Sequence, residues 1–359
     1  MINILIFIFI LSLMIIVHEL GHYLAARRVG VRVEKFSLGF GPLLFNRKKN
    51  DTQYCISAIP LGGFVKLAGD NPQEYKGQPD EYFSKPVGKR FQIIFFGPLL
   101  NYLLGFIFFW FIFFAGYPTL TTEIGTLLEG YGAKQAGLAT GDKIISIDGK
   151  NVRNWEELQA QIQSKKGAAG VSLVVVRQEK EFNIDVPLKA KEVENVFGKK
   201  INMGLIGITP ADKIIKVRHG FFASFFLGAK KTLDLTVMTY QGLWYMATGK
   251  LSMRESVTGP LGIFYITSKA AGAGIIVLMH LVAILSVSLA IFNLLPLPVL
   301  DGGHILLLGL EKVRGKGLSI KSEQVFTQIG TTLIISLAIL VTYNDIVRFF
   351  GDKISNFFK

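Results

Sequence analysis

The sequence predicts a polytopic α-helical membrane protein with four transmembrane helices, a membrane-associated β-hairpin loop and one extracytoplasmic α+β domain. Three observations carry that prediction. Half of the 359 residues are hydrophobic and only 18% are charged, against about a quarter in soluble domains, and the mean hydropathy is +0.42. Long stretches hold no charge at all. The charges that exist, 39 Lys and Arg against 26 Asp and Glu, are gathered between those stretches and leave a net +13. A basic excess in membrane loops accounts for that balance, so the lipid bilayer, and no nucleic acid, is the expected partner. One cysteine, Cys55, excludes an intramolecular disulfide and a Cys-rich zinc site; it is read as a small packed thiol.

The elements follow in order. Residues 1–26 form the first span: Ile2 to Val17 is uncharged, runs into His18 and Glu19, and continues weakly apolar to Ala26. A cleaved signal peptide wants a basic start, which Met1-Ile2-Asn3-Ile4 lacks, so the run is read as a retained anchor. Residues 27–90 hold 12 Lys and Arg against 6 Asp and Glu. They alternate strand-like segments with glycine (Val33–Phe36, Gly39–Pro42, Tyr54–Ile59, Leu61–Lys66), which predicts β-hairpins whose edges could hold an extended peptide. The second span, 91–117, lies in an uncharged stretch of 32 residues, Phe91 to Thr122. The α+β domain, 121–205, pairs β-like runs at Val171–Val176 and Phe182–Val186 with a helix near Trp155–Gln163 opened by Asn154 as N-cap.

An extracytoplasmic region follows at 206–269. In it Phe222, Phe226, Leu233, Val237, Tyr240 and Trp244 recur at helical spacing, interrupted by Lys230, Lys231 and Asp234. A helix lying at the outer interface, or one packed on the α+β domain, satisfies both faces. The third span, 270–303, contains 31 uncharged residues from Ala270 to Leu300. A loop at 304–323 carries Lys312, Arg314, Lys316 and Lys321, and the fourth span, 324–350, is uncharged from Gln324 to Asn344. Roughly 20 apolar residues cross a bilayer. The Lys and Arg excess places 27–90 and 304–323 in the cytoplasm, with both termini and the α+β domain outside.

The chemistry lies in His18-Glu19-Leu20-Gly21-His22. Two histidines at i and i+4 project from one helix face and can bind one zinc through ring nitrogens, with Glu19 beside them as general base. At the end of a membrane helix an unused glutamate is costly, which sharpens the motif. Asp301 is the candidate third ligand. By this topology spans one and three both run inward, and the two histidines lie roughly 8–14 Å inside the Arg27 boundary at 1.5 Å per residue. Pro296 and Pro298 break span three just before Asp301, and unwound backbone in a membrane needs protein or a water cavity around it.

Further strings extend the pattern. Residues 133–149 run A-K-Q-A-G-L-A-T-G-D-K-I-I-S-I-D-G, which resembles a bacterial PDZ domain. Such a domain takes an extended peptide or a C-terminus by strand addition, or else serves as a steric gate. Taken with F-S-L-G-F-G-P, P-L-G-G-F-V-K, G-P-L-L-N at 97–101, G-P-L-G-I at 259–263 and N-L-L-P-L-P-V-L-D-G-G-H at 293–304, the chain resembles the site-2 protease family of intramembrane zinc metalloproteases. The bacterial regulators of sigma E are the nearest group. That group often carries two PDZ domains, and sequence for one is found here.

The resemblance implies zinc, one per chain, on His18, His22 and Asp301, base catalysis by Glu19, and a substrate-orienting or oxyanion-stabilising role for Asn293. It implies a location in the bacterial inner membrane, with the site near the cytoplasmic side. The implied substrates are single-pass membrane proteins, such as an anti-sigma factor already shortened outside, or remnant signal peptides. His304, three residues after Asp301, is a candidate to support the ligands. Asn101 either lines the substrate path or bonds a neighbouring helix. His280 is read as a packing residue and His219 as solvated. A transporter would want ionisable groups along a path, and a scaffold would not need Glu19; neither fits as well.

Overall fold

The computed structural model describes residues 2–165, 168–194, 200–252, 256–317 and 319–357. Their order is α1 (Ile2–Arg28), β1 (Val33–Lys49), β2 (Thr52–Leu67), α2 (Val87–Ala115), β3 (Tyr117–Leu120), β4 (Ile124–Leu127), α3 (Gly132–Gln135), β5 (Lys143–Ile147), β6 (Lys150–Asn151), α4 (Trp155–Ser164), β7 (Gly170–Arg177), β8 (Lys180–Pro187), β9 (Lys189–Glu194), β10 (Lys200–Leu205), β11 (Ile208–Pro210), β12 (Ile214–Val217), α5 (Phe221–Ala247), α6 (Pro260–Ala273), α7 (Ile275–Asn293), α8 (Asp301–Arg314) and α9 (Ile320–Phe357). The chain divides into two compact units, Met1–Trp110 with Phe226–Gln241 and Ser252–Lys359, and Phe111–Phe225 with Gly242–Leu251.

In the first unit α1, α2, α7 and most of α9 are long and apolar enough to cross a membrane. Helix α2 keeps Pro98 inside it, which leaves the Ile94 carbonyl without its usual amide partner. Glycine lets α1 and α2 meet: a Cβ on Gly21 would stand 2.1 Å from the Phe96 carbonyl oxygen, and one on Gly97 2.3 Å from His22 Nε2. Helix α7 packs on α2 through Gly105, whose Cβ would strike Val287.

The loop 27–90 contains one long folded hairpin where several short ones were expected. Val33 to Leu38 pair with Leu67 to Gly63, and Lys35 to Leu38 are also matched in ascending order with Gln53 to Ile56. Gln53 to Ile56 in turn pair with Lys48 to Phe45. Bulges around Gly39 and Gly41, at φ +83° and +86°, fold the first strand back on its own partner. Phe40, Leu43, Leu44, Phe45, Ile56 and Ile59 are exposed on the far half of this hairpin.

Three expected boundaries move. Span three is interrupted: α6 ends at Gly274, φ 111°, α7 stops at Asn293, and 294–300 are non-helical. The loop 304–323 is largely helical, since α8 runs from Asp301 to Arg314, buries Leu308 and closes on Gly315 in the left-handed region. The helix at 221–247 forms as a single element and packs along α2. Gly228 packs against the Trp110 backbone, and Thr236 Oγ1 meets Tyr102 Oη at 3.0 Å. Eight residues along α5 thus match eight back along α2, so the two run side by side and antiparallel to mid-α2. Gly228, Thr232 and Thr236 form the close-packing face, while the aromatic stripe predicted from Phe222 to Trp244 is exposed.

The second unit extends beyond 121–205, because β12 pairs with β3 and β11 with β4. Its main sheet has the order β6-β5-β7-β8 over a core that includes Ile144, Ile147, Leu158, Leu173, Val175 and Val186. Asn154 caps α4, its side chain accepting from Glu157 N at 2.9 Å. Asp142 ties the glycine-rich turn to β7: its carboxylate accepts from Ala139 N at 2.8 Å and from Arg177 Nε and Nη2, both at 2.7 Å.

Candidate metal centre

The first unit brings three of the predicted site residues to one point. His18 and His22 leave the same face of α1, and their Nε2 atoms are 3.1 Å apart. Asp301, the first residue of α8, places Oδ2 3.1 Å from His18 Nε2 and Oδ1 3.5 Å from His22 Nε2. A carboxylate is favoured at a helix N-terminus. It is held there by tight backbone packing: a Cβ on Gly302 or Gly303 would stand 2.2 Å from the carbonyl oxygens of Leu295 or Leu297. Val299, two residues before Asp301, has φ 76°, a strained conformation for a β-branched residue.

These donors fit a metal. The His22 ring donates from Nδ1 to the Ile93 carbonyl at 2.9 Å, which leaves the Nε2 lone pair directed at His18 and Asp301. A cation among His18 Nε2, His22 Nε2 and Asp301 would be held by all three donors, which lie within 4.8 Å of one another. Among the described residues, Asp301's ion-pair partners are the two imidazoles, and no lysine or arginine neutralises it. Two imidazoles and one carboxylate, with a position left open, are a zinc donor set of the catalytic kind.

Glu19, His22, Asp301 and His304 line one cavity of about 630 Å³. Val65 lines the same cavity as Glu19, and Gly63 comes close enough that its Cβ would be 3.3 Å from Glu19 Cγ. The P-L-G-G-F-V-K strand therefore runs over the glutamate. Farther along, Arg90 and Glu311 form an ion pair in the wall. Arg90 also donates from Nε to the Lys85 carbonyl at 3.0 Å and faces the Tyr82 and Phe83 rings. Asn293 is the half-buried last residue of α7 and is not among the residues lining this cavity. Asn101 is fully buried in α2, its carbonyl accepting from Ser286 Oγ at 2.9 Å. His280 packs edge-on against Phe109. Sequence reasoning missed Ile93, which acts through its backbone carbonyl, and gave no individual role to Gly97 or Val65 within the strings that contain them.

The profile of peptidase family M50 matches residues 6–337, and the chain belongs to that family of site-2 proteases. It is 32% identical over 423 aligned positions to the zinc metalloprotease RasP of Geobacillus kaustophilus, covering 96% of this chain and 97% of that one. It is 29% identical to the regulator of sigma-W protease RasP of Bacillus subtilis (96% and 98% covered) and 28% identical to the regulator of sigma E protease of Haemophilus influenzae (95% and 98%). Over 27% of its length it is similar to the PDZ domain of an SdrC-like protein from Listeria monocytogenes, at 26% identity, 90% coverage of that domain and a TM-score of 0.21. The protein is a zinc metalloprotease whose described residues include four helices able to cross a membrane.

Proposed function

We propose that this protease cuts peptide bonds within the transmembrane segments of single-pass membrane proteins, using one zinc per chain on His18, His22 and Asp301. The observation that carries the reading is that the three donor atoms converge beside Glu19 at the end of an apolar helix. Zinc supplies Lewis-acid polarisation of the scissile carbonyl and of the hydrolytic water. Glu19 takes the proton from the water and hands it to the leaving amine. A helical substrate hides its carbonyls in i→i−4 bonds and must unwind to be cut. The β2 segment Gly63–Leu67, passing over Glu19, offers an edge for the extended segment. Asn293 hydrogen-bonds the substrate backbone or the oxyanion, with His304 supporting the site from the cavity wall.

The exposed apolar half of the hairpin lies against the bilayer. The basic loops put the site near the cytoplasmic face of a bacterial inner membrane, with both termini and the PDZ-like domain outside. The substrates are single-pass proteins already shortened outside, an anti-sigma factor or a remnant signal peptide, and the PDZ-like domain takes a peptide or C-terminus. Metal analysis of purified protein tests the centre. One zinc per chain is expected, lost in Asp301→Ala; a stoichiometric zinc in that variant would reject the ligand set.

A further inference from the structure

Two side chains on facing helices have complementary unmet needs. His18 Nδ1 is buried without a hydrogen-bond partner, and so are both amide atoms of Asn101, Oδ1 and Nδ2. Buried polar groups in a native protein are nearly always paired, and in a membrane no bulk water can serve them.

The helix register puts them at facing positions, one turn beyond the observed His22–Gly97 contact. Helices α1 and α2 are antiparallel, with Gly21 on Phe96 and Gly97, and His22 on Gly97 and Ile93. One turn back along α1 from His22 is His18. One turn forward along α2 from Gly97 is Asn101. Steps of four residues, about 6 Å each, carry the observed His22–Gly97 contact to a His18–Asn101 facing pair. The Ser286 hydroxyl on the neighbouring α7 is spent on the Asn101 main-chain carbonyl and leaves the amide free.

We propose that Asn101 is the positioning residue for His18: its Oδ1 accepts from His18 Nδ1–H, directly or through one bridging water. This rests on the reading of His18 as a zinc ligand. The two rings must both present Nε2, and each needs its other nitrogen held as a donor. For His22 the Ile93 carbonyl does this. For His18 the acceptor comes from a side chain one turn farther along α2. The asparagine of G-P-L-L-N then has a chemical task beyond joining helices.

The test is a zinc competition titration against a chromogenic chelator, with the full-length protein in detergent and thermal melting of each variant alongside. Asn101→Leu, and Asn101→Ala as the variant that adds no bulk, should each weaken zinc binding about 10–100-fold. Asn101→Asp keeps an acceptor and should stay within about threefold of wild type, as carboxylates serve ligating histidines. Ser286→Ala touches the same segment without the amide and should bind zinc as wild type does. Alanine and leucine variants that fold and bind zinc as tightly as wild type would overturn the proposal while leaving the ligand set intact. So would a loss in all four variants that tracks melting temperature. Wild type holding no zinc would overturn the ligand set itself.

Discussion

Gly97 is as much a part of the metal centre as the side chains that would hold the ion. A methyl group there would occupy the space of the His22 ring, 2.3 Å from Nε2, and Gly21 on the facing helix is as tightly placed against the Phe96 carbonyl. Gly97→Ala should therefore push His22 off its Ile93 hydrogen bond and lower zinc affinity about tenfold or more, measured by the same chelator competition. Unchanged affinity would mean that α1 and α2 separate without disturbing the site. Ligand chemistry allows few residue types, which is why the two histidines, Glu19 and Asp301 were legible in the sequence. The Ile93 carbonyl carries no residue-type signal. The glycine of G-P-L-L-N was visible, but not the ring it makes room for.

At the scale of elements, the charges of α5 drew the reading toward its placement and away from the face it packs with. Lys230, Lys231 and Asp234 suggested a helix lying in the interface. The structure uses the small-residue row Gly228–Thr232–Thr236 to lie along α2. That row was hidden in the sequence by the aromatic stripe beside it. The break before Asp301 was legible from Pro296 and Pro298. The helical loop behind it was not, because its lysines and arginines outweighed the leucines that give α8 an apolar face. In the second unit the turn glycines were legible, and Asp142 is what fastens them. Burial pushes its carboxyl pKa up, but the Arg177 guanidinium and the Ala139 amide prevail and hold it below the usual range. Because the folded value lies below the unfolded value of about 3.9, its contribution is present above that pH and is lost as pH falls through the folded value. Hydrogen exchange of the β7 amides should show protection falling with acid in that window. Asp142→Asn should cost about 1.5–3 kcal/mol at neutral pH and flatten the acid response. A variant with wild-type protection at pH 7 would count against this role.

For the whole molecule, the described residues include four apolar helices long enough to cross a membrane, and the candidate metal donors gather at one end of the first of them. The bilayer's fixed thickness makes span number readable from sequence, and the spacing of H-E-L-G-H and D-G-G makes the chemistry readable. The meeting of α1, α2 and α8 at one point required the fold. The most direct measurement uses purified protein in detergent with a panel of single-pass substrates lacking bulky outer domains, and locates cuts by mass spectrometry. A cut inside the hydrophobic segment is expected, abolished by a zinc chelator and reduced about 10²–10⁴-fold in Glu19→Gln with zinc still bound. Full cleavage by Glu19→Gln, or no cut of any substrate by zinc-loaded wild type, would contradict the account.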